Sequence, residues 1–107
     1  MDDPLDRLEA VVRARRGADP TSSYTASLFA RGRPRIAQKL GEEAVECVIA
    51  AMGSDPVKIV PEAADLLYHL LVLLADADLT LADVRTELAQ REGVSGLEEK
   101  AGRPATG

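Results

Sequence analysis

Apolar residues recur along this chain at helical spacing, and the recurrence is broken at regular intervals by glycine, proline and short polar runs. Leu5, Leu8, Val11 and Val12 fall on one stripe and predict a first helix over residues 4–16, closed by Gly17. Asp19-Pro20-Thr21-Ser22-Ser23 reads as a polar turn rich in N-capping side chains. Residues 24–30 form a short helix or an ordered loop that Gly32 ends. Ile36, Leu40, Ala44, Cys47, Val48 and Ala51 form a single 3.6-period stripe, which predicts a helix over residues 34–52 with Gly53 as its stop. Asp55-Pro56 opens a third main helix that runs to about residue 77. Pro61 is awkward there, because an interior proline costs about 3 kcal/mol. A kink over residues 57–61, or a helix start at Pro61 itself, is expected. Thr80 and Asp83 have the spacing of a capping box and predict a last helix over residues 81–91. Residues 95–107 are expected to be a flexible tail.

These elements predict an all-α protein. Amphipathic helices joined by short turns indicate an antiparallel bundle of about four helices in a single domain over residues 1–107. Leu66, Leu67 and the run from Leu70 to Ala75 make the third main helix apolar nearly all round. Such a helix has to be covered on every side, and the simplest cover is a second copy of the chain, so a homodimer is expected.

Composition sharpens this reading. Aromatics are scarce, with one Phe, two Tyr and no Trp, and an Ala- and Leu-rich chain favours helix over strand. Net charge is −5, which argues against a nucleic-acid partner. The longest apolar run falls far short of the roughly 20 residues of a membrane span. An acidic, polar N-terminus is unlike a signal peptide, and a lone cysteine, Cys47, suits a reducing cytoplasm. On its apolar stripe Cys47 reads as a small core residue.

The candidate chemistry is acidic. Glu42, Glu43 and Glu46 are neighbours on one helix face, next to one edge of the apolar stripe. Glu62 and Asp65 repeat the three-residue spacing on the following helix. Glu46 and Glu43 lie 7 and 10 residues before Gly53, and Glu62 and Asp65 lie 9 and 12 after it, so a hairpin brings both sets to one level. Five clustered carboxylates repel one another, and oxygen ligands without Cys or paired His suit Mg²⁺ or Mn²⁺. The plain alternative is a solvated acidic face. A di-iron bundle needs Glu-x-x-His on two helices, and the only histidine, His69, has no Glu three residues before it. His69 reads as a structural histidine or as a partner behind the ligands, and Tyr68 as core or as a ligand-stacking ring. Arg31, Arg33, Arg35 and Lys39 precede the acids and are candidate phosphate binders, as are Lys100 and Arg103 in the tail. For Lys39 the alternative is an ordinary ion pair one turn along.

Four blocks carry a resemblance. They are Ser23-Tyr24-Thr25-Ala26 with Gly32, the run Gln38 to Glu46 with Ile49-Ala50-Ala51, the run Glu62 to Leu74, and the run Ser95 to Ala101. Together they resemble the phosphoribosyl-ATP pyrophosphohydrolases of histidine biosynthesis, within the all-α, MazG-like NTP pyrophosphohydrolases. The resemblance implies a helical dimer, dependence on Mg²⁺, and hydrolysis of phosphoribosyl-ATP to phosphoribosyl-AMP and pyrophosphate. It implies Glu42, Glu43, Glu46, Glu62 and Asp65 as metal-site residues. Glu46 is then the candidate proton acceptor, with Glu43 beside it in catalysis. Lys39, Arg35, Arg31 and Lys100 are the candidate substrate-binding residues. The cyclohydrolase of the next step, fused to this domain in many relatives, is expected on a separate chain. Two rival readings stay open, a house-cleaning pyrophosphohydrolase for other nucleotides and a non-catalytic helical dimerisation module.

Overall fold

The computed structural model of the protein describes residues 3–92. Among them are five α-helices and no strand: α1 (Pro4–Ala14), α2 (Tyr24–Arg31), α3 (Arg33–Ala51), α4 (Ile59–Asp76) and α5 (Leu81–Gln90), with a 3₁₀ turn, Pro56–Lys58, leading into α4. The fold is all-α as expected, but with five helices rather than about four, because residues 24–31 form a full helix. Ser23 makes this possible: its side chain accepts from the Ala26 N–H at 2.9 Å and caps α2.

Local chemistry fixes the ends. Gly17 and Gly32 adopt φ of +84° and +92°, where a side chain would be strained; both are stops that the pattern predicted. Pro61 causes no break. Ile59 is the first helical residue of α4, so Pro61 falls in the first turn, where its missing N–H has no partner to lose. Thr80 and Asp83 form the predicted capping box. α4 ends in a Schellman motif, with the Leu79 N–H bonded to the Leu74 carbonyl and the Asp78 N–H to that of Ala75. Asp78 holds the left-handed position, at φ +59°.

That end of α4 is ringed by guanidinium groups, which complement the negative end of its dipole. Arg16 donates to the Ala75 carbonyl at 2.9 Å and pairs with the Asp78 carboxylate. Arg33 pairs with Asp76. Arg16 holds the Asp78 carboxyl below the usual carboxylate range. A depressed acid adds stability above its unfolded pKa and loses it as pH falls through the folded value. Asp78→Asn keeps a residue that tolerates the left-handed turn but removes the charge. Its melting temperature should lie below that of the native chain at neutral pH, and the two should converge as pH falls through the lowered Asp78 pKa. A constant offset at all pH values would contradict this.

The α3–α4 hairpin is the most extensive helix contact. Its direction is antiparallel, since Arg33 at the start of α3 meets Asp76 at the end of α4. All five helices feed one core, through Val12, Leu28, Ile36, Leu71, Val72, Ala75 and Leu81. α5 is tied back to α1 by Arg85–Asp6 at 2.7 Å and by Glu9 accepting from the Leu81 N–H at 2.7 Å.

Two expectations about burial need correcting. The greasy second half of α4 is largely covered within the chain, by α1, α2 and α3. Leu67 of α4 stays exposed, but the most exposed apolar cluster lies at the far end of the hairpin. There Val45, Val48, Ile49, Met52, Val57 and Val60 are each more than half exposed. The α3 stripe is therefore core only in its first half, where Ile36 is buried; in its second half Val48 and Ala51 are exposed and Cys47 is only half-buried. Among the described residues no helix is long and apolar enough to cross a membrane.

Candidate active site

The antiparallel hairpin brings the two acidic sets together. Glu43 on α3, and Glu62 and Asp65 on α4, each offer one oxygen within 4.8 Å of the other two. Metal–oxygen distances of about 2.0–2.1 Å place octahedral ligand atoms roughly 3 to 4 Å apart. The three carboxylates therefore need only small side-chain adjustment to close on one divalent cation. The donor set fits as well, being all oxygen, with no sulfur and no ring nitrogen among the three.

The electrostatics show what the cluster lacks. Glu62 is pushed above the usual carboxylate range, first by desolvation and then by the charges of Glu46, Asp65 and Glu43. A raised acid is disfavoured in its charged form, so this crowding weakens the fold as pH rises through the Glu62 pKa. A cation among the oxygens would reverse that sign.

The other predicted residues divide around this centre. Glu46 lies outside the group of three but near enough to Glu62 to act on its charge. Glu42 faces a different set of partners. It accepts from Lys39 Nζ at 3.3 Å and from Gln38 at 3.1 Å, and Arg35 lies 4.0 Å away. Lys39 holds the Glu42 carboxyl below its usual range. Lys39 also lies 4.0 Å from Glu43, so it bridges the basic and acidic groups of α3. The Arg35 side chain is partly buried and its Nε is buried without a hydrogen-bond partner. Arg31 is exposed in the last turn of α2. Arg33 is committed to Asp76 at the opposite end of the hairpin. Lys100 and Arg103 lie outside the described residues.

His69 is buried one turn beyond Asp65, and its Nδ1 lies 2.8 Å from the Asp65 carbonyl. Its Nε2 lies 3.3 Å from the Tyr24 hydroxyl. Tyr68 hydrogen-bonds the Thr25 hydroxyl, and burial pushes its phenol up. The sequence pattern offered no role for Tyr24 or Thr25; the one available signal was the block 23–26 itself.

A family profile described as phosphoribosyl-ATP pyrophosphohydrolase matches residues 5–92. The chain belongs to that family. Curated relatives agree. A protein of Rhizorhabdus wittichii named phosphoribosyl-ATP pyrophosphatase is 62% identical over 97% of this chain and 98% of its own length. Proteins of the same name from Cereibacter sphaeroides and Azospirillum brasilense are 60% and 62% identical over 92% of the chain, covering 96% and 89% of their own lengths. The phosphoribosyl-ATP pyrophosphohydrolase match takes in α1 to α5 and every acid of the cluster.

Proposed function

We propose that this enzyme hydrolyses phosphoribosyl-ATP to phosphoribosyl-AMP and pyrophosphate, the second step of histidine biosynthesis, with Mg²⁺ held between α3 and α4. The observation that carries the site is the convergence of Glu43, Glu62 and Asp65 from two helices. Family membership, through close relatives that bear the name, carries the substrate.

Glu43, Glu62 and Asp65 are the inner ligands, with Glu42 and Glu46 completing the acidic ring. When bound, the cation supplies charge neutralisation at the polyphosphate and a more acidic water. The chain's own groups do the rest. Glu46, next to the three ligands but not among them, accepts the proton as the oxygen of water bonds to phosphorus. The phosphoanhydride bond to the pyrophosphate leaving group then breaks. Lys39, Arg35, Arg31 and Lys100 bind phosphate oxygens, which makes the long negative substrate compatible with an acidic protein. Among them Lys39 stands nearest the carboxylate group by its 4.0 Å approach to Glu43. The apolar surface of Val45, Val48, Ile49, Met52, Val57 and Val60 is covered by a second copy, completing the bundle as a homodimer. A cytoplasmic setting fits the substrate.

The test compares pyrophosphate release from phosphoribosyl-ATP, ATP and dUTP in Mg²⁺ and in chelator. Rapid, Mg²⁺-dependent release from phosphoribosyl-ATP alone is the expected result. Preference for dUTP would favour a house-cleaning role, and no release from any substrate would favour a dimerisation module. Glu46→Gln should lose at least ~100-fold in kcat while melting, without metal, at or above the native temperature; full activity would remove Glu46 from proton transfer.

A further inference from the structure

The block Ser23-Tyr24-Thr25-Ala26 has a task at every position. Ser23 caps α2, and Ala26 is buried. Thr25 bonds the Tyr68 hydroxyl. Tyr24 meets His69, and its ring lies 6.3 Å from that of Tyr68 at an angle of 25°. Tyr24 and Thr25 thus key the start of α2 onto two consecutive residues of α4.

The hydrogen-bond directions follow from chemistry. The Asp65 carbonyl can only accept, so His69 Nδ1 carries the proton and donates to it at 2.8 Å. In the neutral ring His69 Nε2 then holds the lone pair, and the Tyr24 hydroxyl donates to it at 3.3 Å. Both ring nitrogens are thereby used. The imidazole links α2 to the backbone of Asp65, which belongs to the carboxylate group with Glu43.

We propose that Tyr24 and His69 are positioning residues, which hold the Asp65 turn of α4 in register with Glu43 so that the carboxylates close on a divalent cation. This rests on the metal-site reading above. Two observations favour a positioning role over a purely structural one. Neither Tyr24 nor His69 belongs to the apolar cluster that runs through Val12, Leu28, Ile36, Leu71 and Val72. Tyr24 is half exposed, so removing its hydroxyl leaves no cavity. A Mg²⁺ site, in contrast, tolerates misplacement of only about 0.5 Å.

The experiment measures the Mg²⁺ concentration for half-maximal turnover of phosphoribosyl-ATP, together with melting temperature. The proteins are the native chain, Tyr24→Phe, His69→Asn and the double variant, assayed where all are folded. Asparagine keeps a donor toward the Asp65 carbonyl and loses the acceptor for Tyr24. Each single variant should raise the Mg²⁺ requirement about five-fold, the worth of one neutral hydrogen bond. The double variant should add no more, since both cut one link. A native Mg²⁺ requirement in both single variants, with or without a lower melting temperature, would overturn the proposal. If the native chain itself turned over without divalent cation, the metal-site reading would fail first.

Discussion

Glu43→Gln should lower turnover of phosphoribosyl-ATP at least ~100-fold while leaving the protein folded. Groups that merely orient metal ligands typically matter by 10–100-fold, and Glu43 is proposed as a ligand itself. Its oxygen lies within 4.8 Å of those of Glu62 and Asp65, and among the described residues no further carboxylate joins that group. Glutamine preserves shape and removes one charge. Glu43 is also one of the charges that push Glu62 up. Without metal the variant should therefore melt at or above the native temperature, since one repulsion is gone. Loss of activity with gain of metal-free stability separates a functional acid from a structural one. Initial rates of pyrophosphate release, paired with melting curves in chelator, make the measurement. Near-native turnover would remove Glu43 from the site.

Ile49→Glu should turn a dimer into a less stable monomer. Ile49 is 61% exposed, and on a solvated face the change would alter stability by no more than about 0.5 kcal/mol. Beneath a second copy, an unpaired carboxylate costs several kcal/mol, which in a domain this size lowers the melting temperature by on the order of 10 °C. The six exposed apolar residues at the hairpin's turn end make a patch that a monomer rarely shows to water. Light scattering should give twice the chain mass for the native protein and the chain mass for the variant. A monomeric native protein, or a variant still dimeric, would contradict the proposed dimer.

Much of this was legible along the chain because local chemistry repeats fixed rules. Gly17, Gly32 and the Thr80–Asp83 box each specify a backbone geometry that few residues can satisfy. The approach of Glu43 to Glu62 and Asp65 followed from counting residues on either side of Gly53, since helical rise is constant. What the pattern could not supply was anything set by three-dimensional neighbours. Pro61 looked like an interruption because its severity depends on where the first helical hydrogen bond falls, and a 3₁₀ turn moved that point to Ile59. The α3 stripe looked like continuous core, yet periodicity reports which residues share a face, not whether another helix reaches that face. The same limit hid Tyr24 and Thr25. Their partners, His69 and Tyr68, lie more than forty residues away, and hydroxyl groups carry no periodic signature. Asp78 in a left-handed turn was also invisible, because glycine is the residue that usually announces a Schellman motif.

Mn²⁺ binding, followed by the loss of the free ion's electron paramagnetic resonance signal, tests most directly whether acids from α3 and α4 share a cation. The native protein should bind Mn²⁺, and Mg²⁺ should compete for it. Glu43→Gln on α3 and Asp65→Asn on α4 should each weaken binding at least ~10-fold. Equal Mn²⁺ affinity in the native protein and both variants would contradict a site built between the two helices.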